Sequence, residues 1–228
     1  MTITTCVFDA YGTLFDVAAA AREAAGKPEN TALAPVWQTL ARDWRQKQLQ
    51  YSWLRAVSGD HADFWQVTGD ALDWAMEASG LDDPSLRDRL MDLYFHLSAY
   101  PEVPAMLARL KADGRTTAIL SNGEPKMLAG AVNSAGIGAH LDAVLSVEDV
   151  GVYKPHRTVY DMVGARFGCA PSEVLFVSSN GWDAAHAKGY GFVTAWVNRA
   201  GDPVDRLDWR PDHFLADLSG IPTLAKEA

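Results

Sequence analysis

The chain has 228 residues, 48% hydrophobic and 21% charged, which is ordinary globular usage and excludes a mainly disordered chain. Lysine and arginine number 20 against 29 aspartates and glutamates, a net charge of -9. Such a surface argues against nucleic acid or an anionic membrane as the main partner. The length is enough to bury a core without disulfides or structural metals. The two cysteines, Cys6 and Cys169, therefore read as free thiols of a reducing compartment. No apolar run approaches the ~20 residues of a membrane span. Met1–Thr5 has no basic residue ahead of an apolar stretch, so no secretory leader is expected and the cytoplasm is the expected location.

Ile3–Phe8 is a short, β-branched apolar run that ends at Asp9. It reads as a strand buried on both faces, as in parallel sheets. From about Asp16 to Leu97 the rhythm is helical. Val36, Trp37, Leu40, Trp44, Tyr51 and Leu54 recur at helical spacing, as do Phe64, Val67, Ala71, Leu72, Ala75 and Met76. Asp82-Asp83-Pro84-Ser85 marks a turn and a new helix start. Helix Val103–Ala112 follows, then strand Thr116–Leu120, ending at Ser121-Asn122-Gly123. Helix Lys126–Ala135, the shorter strand candidate Ala143–Leu145 and helix Thr158–Phe167 come next. Strand Val174–Val177 ends at Ser178-Ser179-Asn180-Gly181 and leads into helix Trp182–Gly189. Strands Phe192–Trp196 and His213–Leu215 complete the series. Alternating β and α segments imply an α/β fold: a Rossmann-like, mostly parallel sheet with helices on both faces. The expected division is a core of residues 1–15 and 98–228, with residues 16–97 inserted as an all-helical cap.

A lone aspartate after a strand is ordinarily a turn or capping residue. Asp9 gains meaning because Ser121-Asn122, Lys154-Pro155 and Ser178 to Asp183 stand at comparable strand ends. Ligands of open α/β sheets bind at that edge. Residue chemistry suggests the roles. A carboxylate can be a nucleophile and form an ester. Lys154 can keep it ionised. Thr13, Ser121, Ser178 and Asn180 can donate hydrogen bonds that aim the carboxylates and the substrate. Asp183 can orient or deprotonate a water. Backbone N–H groups at the following helix starts offer an anion site. Ser179 is expected to be structural, because alternate residues of an extended segment point to opposite sides.

The order Asp9-Ala10-Tyr11-Gly12-Thr13, Ser121-Asn122-Gly123, Lys154-Pro155, then Ser178-Ser179-Asn180-Gly181-Trp182-Asp183 resembles the haloacid dehalogenase superfamily. More narrowly it resembles the L-2-haloacid dehalogenases, hydrolases of (S)-2-haloalkanoic acids. The resemblance runs from about Thr5 to about Arg199. It includes the insertion, where Trp44-Arg45-Gln46-Lys47-Gln48-Leu49-Gln50-Tyr51-Ser52-Trp53 matches a cap signature of that subgroup.

The resemblance implies that Asp9 attacks C2 of the substrate and expels halide with inversion. Water activated through Asp183, with help from Lys154 and Asn180, then opens the ester and releases an (R)-2-hydroxy acid. Thr13 and Ser178 orient the carboxylates, and Ser121 holds the substrate carboxylate. Arg45, Asn122 and Trp182 cradle the halide. Tyr11, Gln46, Leu49 and Phe64 wall the alkyl pocket, and Tyr160 supports Lys154 and the site network. The implied partners are a small anionic haloacid and its halide, with a homodimer formed through the cap. No metal and no cofactor is implied. Phosphatases of the superfamily carry an acid two residues after the nucleophile, where this chain has Tyr11, and more acidic residues in the last motif, where it has Ser178-Ser179-Asn180. A Mg²⁺-dependent small-molecule phosphatase is the alternative expectation. An anionic nucleophile, substrate and leaving group make this site costly: each like-charge contact at ~4 Å costs about 4 kcal/mol at an effective dielectric of ~20. At least two cations, Arg45 and Lys154, are therefore expected there. The histidines show no metal-ligand spacing, and His96, His156 and His186 are expected at the surface. Trp37, Trp44, Trp53, Trp65 and Trp74 are expected in the cap core or a dimer interface.

Overall fold

A computed structural model describes residues 2–227. Six parallel strands form one sheet in the order β3-β2-β1-β4-β5-β6. They are β1 (Thr5–Phe8), β2 (Thr116–Ser121), β3 (Ala143–Ser146), β4 (Val174–Ser178), β5 (Val193–Val197) and β6 (His213–Leu215). Both shorter strand candidates are present, at the two edges. Every residue of β1 and β4 is buried, so helices must cover both faces of the sheet at its centre. Cys6 lies within β1, and burial pushes its thiol pKa up to about 12.

The helices are α1 (Ala19–Ala25), α2 (Trp37–Ser58), α3 (Phe64–Ala78), α4 (Pro84–Phe95), α5 (Val103–Ala112), α6 (Pro125–Ser134), α7 (Arg157–Phe167), α8 (Gly181–Tyr190) and α9 (Ile221–Glu227). The first four lie between β1 and α5, and no strand of the sheet interrupts them among the described residues. The starts of α3 and α4 follow from capping. Asp63 accepts the Gln66 N–H ahead of α3, and Asp83 accepts the Leu86 N–H ahead of α4 with Pro84 in its first turn. Along α2 the buried stripe is Leu40, Trp44, Gln48 and Ser52, and α2 packs against α3. Trp44 is buried, with its indole N–H on the Thr68 carbonyl. Trp65 meets Phe95 edge-on, whereas Trp53 and Trp74 are partly exposed.

Strand order places the site. From β1 the chain moves outward to β2 and β3, then crosses back to β4 on the other side of β1. That reversal opens a crevice at the carboxyl ends of β1 and β4. Phe8 is level with Ile119 and Val177, so Asp9, Ser121 and Ser178 emerge together at that edge. The helical layer is tied down over it. Tyr153 donates its hydroxyl to the Ala62 carbonyl, and His61 Nε2 lies 2.9 Å from Glu148 Oε2. His96 and His156 are exposed as expected. His186 is half-buried instead, because its Nδ1 reaches the Trp182 carbonyl one helical turn earlier.

The central strands carry the stability. Leu175 is fully buried in β4, between β1 and β5. Leu175→Ala should lower the unfolding free energy by about 2–5 kcal/mol in a urea titration. A loss below about 1 kcal/mol would contradict this packing.

Candidate active site

The turn after β1 aims Asp9. Gly12 takes a left-handed φ of 88°, which an L side chain resists, and this lets the chain fold back so that Thr13 faces the carboxylate. Asp9 is 6% exposed, and two of its three side-chain hydrogen bonds come from other loops of the site. Oδ1 accepts from Lys154 Nζ at 3.2 Å. Oδ2 accepts from Thr13 Oγ1 at 3.0 Å and from Asn180 Nδ2 at 2.9 Å.

Lys154 is 1% exposed and lies between two carboxylates. Its second contact is Asp183 Oδ2, at 2.9 Å. Burial pulls the Lys154 pKa down, but Asp183 and Asp9 outweigh it and hold the ammonium above its usual 10.5. Asp183 is fully buried. Burial pushes its pKa above the usual 3.8, against the pull of Lys154, and Asp9 adds to the rise. Its other oxygen accepts the Tyr160 hydroxyl at 2.8 Å.

A small cavity of about 10 Å³ lies over Asp9. That is close to the ~10–15 Å³ that a single water needs. Ser121, Asn122 and Lys154 lie on the sheet side. Asn122 Oδ1 accepts the Lys154 N–H at 3.0 Å, which leaves its amide donors for a ligand. Ser121 Oγ accepts the Gly123 N–H, which leaves its hydroxyl proton free. Gly123 allows the close fit here, since a Cβ on it would lie 2.6 Å from the Tyr11 ring.

Arg45, Leu49, Phe64 and Trp182 close the cavity from above. Arg45 is held at three points. Nη1 donates to Gln48 Oε1 at 2.7 Å, and Nη2 reaches the Tyr11 carbonyl at 3.0 Å and Asn180 Oδ1 at 3.4 Å. Tyr11 stacks on Tyr94 with ring centres 5.6 Å apart, and Phe64 lies beside it. The Trp182 indole N–H and the Tyr11 hydroxyl are buried without partners among the described residues. Two unsatisfied donors in one small cavity are costly unless a ligand accepts from them.

Most residues expected at the site converge on it: Asp9, Thr13, Ser121, Asn122, Lys154, Asn180, Arg45, Leu49, Phe64, Trp182 and Tyr11. Four differ. Gln46 is exposed and does not line the cavity, because one residue along a helix turns the side chain about 100° away from the Arg45 face. Ser178 touches neither carboxylate, and its Oγ accepts the Asn180 N–H in the loop. Tyr160 joins the site network through Asp183, from outside the cavity, and does not hydrogen-bond Lys154 itself. Asp183 stands behind Lys154 and does not line the cavity.

Two residues were missed. Ser179 donates its N–H to Thr13 Oγ1 at 2.8 Å, which turns the Thr13 proton toward Asp9. Gln48 is fully buried and joins Arg45 to Thr68 and Tyr94, with its Nε2 2.7 Å from Thr68 Oγ1. Its signal in the sequence was a glutamine on an otherwise apolar helical stripe.

Among the described residues, no three histidine, cysteine, aspartate or glutamate side chains gather to hold a metal. The donor set also does not fit a divalent cation. The two carboxylates that could bridge one already share the Lys154 ammonium, which would repel it.

Haloacid dehalogenase-like hydrolases match residues 3–191 of the chain. (S)-2-Haloacid dehalogenase 1 of Pseudomonas sp. (strain CBS-3) is 45% identical over 223 residues, covering 97% of this chain and 96% of its own. A dehalogenase solved with an intermediate complex superposes with a TM-score of 0.92 at 40% identity, covering 98% of this chain and 97% of that one. The L-2-haloacid dehalogenase of Xanthobacter autotrophicus, solved with chloropropionic acid covalently bound, gives a TM-score of 0.86 at 37% identity over 98% of both chains. With a family match across most of its length and relatives that cover nearly all of it, the chain belongs to the haloacid dehalogenase-like hydrolases and groups there with the (S)-2-haloacid dehalogenases.

Proposed function

We propose that the protein hydrolyses small (S)-2-haloalkanoic acids to (R)-2-hydroxy acids, through an ester on Asp9 and without a metal ion. The observation that carries this reading is the ammonium of Lys154 between Asp9 and Asp183, under a cavity closed by Arg45 and an unpartnered indole N–H. Residues 16–97 act as the cap. A cytoplasmic homodimer belongs to the same reading, with Leu54 and Val57 of α2 as exposed apolar positions.

The chemistry follows from the hydrogen bonds. Oδ1 of Asp9 has one partner and Oδ2 has two, so Oδ1 is the freer nucleophile. It attacks C2 from the face opposite the halogen. Halide leaves toward Arg45, Asn122 and Trp182, and needs no proton to do so. Ser121 and nearby backbone N–H groups hold the substrate carboxylate end. The charges of Arg45 and Lys154 balance those of Asp9 and Asp183, so the substrate enters as the one uncompensated anion. Water exclusion strengthens every one of these terms.

Water then attacks the Asp9 carbonyl carbon, and the negative charge moves to Oδ2. Thr13 Oγ1 and Asn180 Nδ2 already donate to that oxygen, so they serve as its oxyanion hole. Asp183, behind Lys154, takes up the water proton by relay through the Lys154 ammonium across their 2.9 Å contact. Burial makes it a stronger base than a carboxylate in solvent. Lys154 protonates the departing alkoxide and recovers its proton from Asp183 across 2.9 Å. The Cγ–Oδ1 bond breaks, and the hydroxy acid leaves with Oδ1 as its hydroxyl oxygen.

Halide should be released from (S)-2-chloropropionate in excess EDTA, with (R)-lactate as product, and Asp9→Asn should abolish the release. Strict Mg²⁺ dependence, or turnover of the (R) acid alone, contradicts the reading. Hydrolysis of p-nitrophenyl phosphate with Mg²⁺ and no dehalogenation would point to the phosphatase instead.

The pH profile tests the buried triad. Asp183 works ionised and its pKa is raised, so kcat/KM should begin to fall on the acid side at a pH above 3.8. Lys154 works charged and is held above 10.5, so its loss should appear only above that pH. The stability that Lys154 contributes has the same sign: it is present below 10.5 and is lost as pH rises through the higher folded value. An alkaline limb that belongs to Lys154 at neutral pH contradicts the assignment.

Gln48→Leu keeps the side-chain volume but removes the acceptor for Arg45. A hydrogen bond to a charged group is worth about 1.5–3 kcal/mol, so kcat/KM should fall roughly ten- to a hundredfold with the fold retained. A fall below about twofold means that Gln48 does not hold Arg45 in place.

A further inference from the structure

Beside the active cavity lies a second space, an open groove of about 600 Å³. Trp53, Trp196, Pro203 and Val204 line it. Leu49, Asn180 and Trp182 line both spaces, so one layer of side chains separates them. Two of the three partition residues are secured by their own contacts. Asn180 is bonded to Asp9 and Arg45, and Leu49 belongs to the long helix α2.

Trp182 belongs to the first turn of α8, but its indole N–H has no hydrogen-bond partner among the described residues. What braces its ring is Trp53, which meets it edge-on with ring centres 5.3 Å apart at 88°. Trp53 follows Leu49 by four residues, so both project from one face of α2. Trp53 lines the groove but not the cavity. It acts on the cavity through the partition, and its edge-on contact with Trp182 is the direct one.

We propose that Trp53 is a positioning residue that sets the upper limit on the alkyl group of the substrate, and that the groove is where the tail of a longer 2-haloalkanoic acid lies once the partition yields. This rests on the dehalogenase reading. The groove's charges are Asp202 and Asp205 against Arg206. It has no positive surplus to hold a second carboxylate, while its tryptophans, proline and valine suit an alkyl chain. Asp9, Lys154 and Arg45 do not line it, so the reacting end of the substrate stays in the inner cavity.

The test compares (S)-2-bromopropionate with (S)-2-bromohexanoate in the parent protein, Trp53→Ala and Trp53→Phe, with circular dichroism to check the fold. Trp53→Ala should raise kcat/KM for the longer acid relative to the shorter by about tenfold or more, because methylenes discriminate in apolar pockets on that scale. Trp53→Phe, which keeps a ring against Trp182, should hold the parent ratio. If the alanine variant does not fold, Trp53→Leu replaces it in the same comparison. A purely structural role would lower both rates together, and an unchanged ratio overturns the proposal. Calorimetric binding of propionate and hexanoate gives a readout apart from turnover. A shifted binding ratio with no bromide release by the parent keeps the partition and overturns the dehalogenase reading. Binding of neither carboxylate overturns both.

Discussion

One ammonium held between two buried carboxylates governs this molecule. Lys154 is nearly inaccessible, and so are Asp9 and Asp183. Three ionised groups out of water are tolerable only because each finds a partner at hydrogen-bond distance. Removal of the lysine would leave two carboxylates facing each other with no counter-charge. Burial and the nearby Asp9 set Asp183 above its usual 3.8, against the pull of Lys154. Structure and reactivity therefore depend on one contact.

The sheet brings these groups together. Asp9, Lys154 and Asp183 are far apart in the chain and meet because β1 lies between β2 and β4. The strand reversal makes the crevice, and parallel strands deliver their ends to it in register. The helices between β1 and α5 supply what the sheet edge lacks. They add a second cation, Arg45, and the apolar side chains Leu49 and Phe64 that exclude water. Gln48 matters in that context, because a guanidinium over a small anion site must be fixed before the ligand arrives.

Much of this was legible in the sequence. Buried parallel strands read as apolar runs, and their polar ends stood out against them. Asp9, Ser121 and Asn180 were found that way. The long stretch without strands was equally plain, because its apolar spacing was helical. The misreadings have physical causes. Gln46 and Gln48 differ only by helical phase, and two positions rotate a side chain across the helix. Ser179 was set aside by strand alternation, but β4 ends at Ser178 and the alternation ends with it. Thr13 consequently receives its N–H from Ser179. Tyr160 and Asp183 pair across 23 positions, as do Tyr94 and Gln48 across 46. Pairs of that kind are tertiary facts with no local pattern to reveal them.

The most direct measurement is one turnover in ¹⁸O-water with enzyme in excess over (S)-2-chloropropionate. An ester on Asp9 requires the label to appear in the Asp9 carboxylate, seen by mass in the peptide that carries it, while the hydroxy acid keeps unlabelled oxygen. Label in the first product formed, with Asp9 unlabelled, would mean that water attacks the substrate carbon directly and that no bond to the aspartate is made.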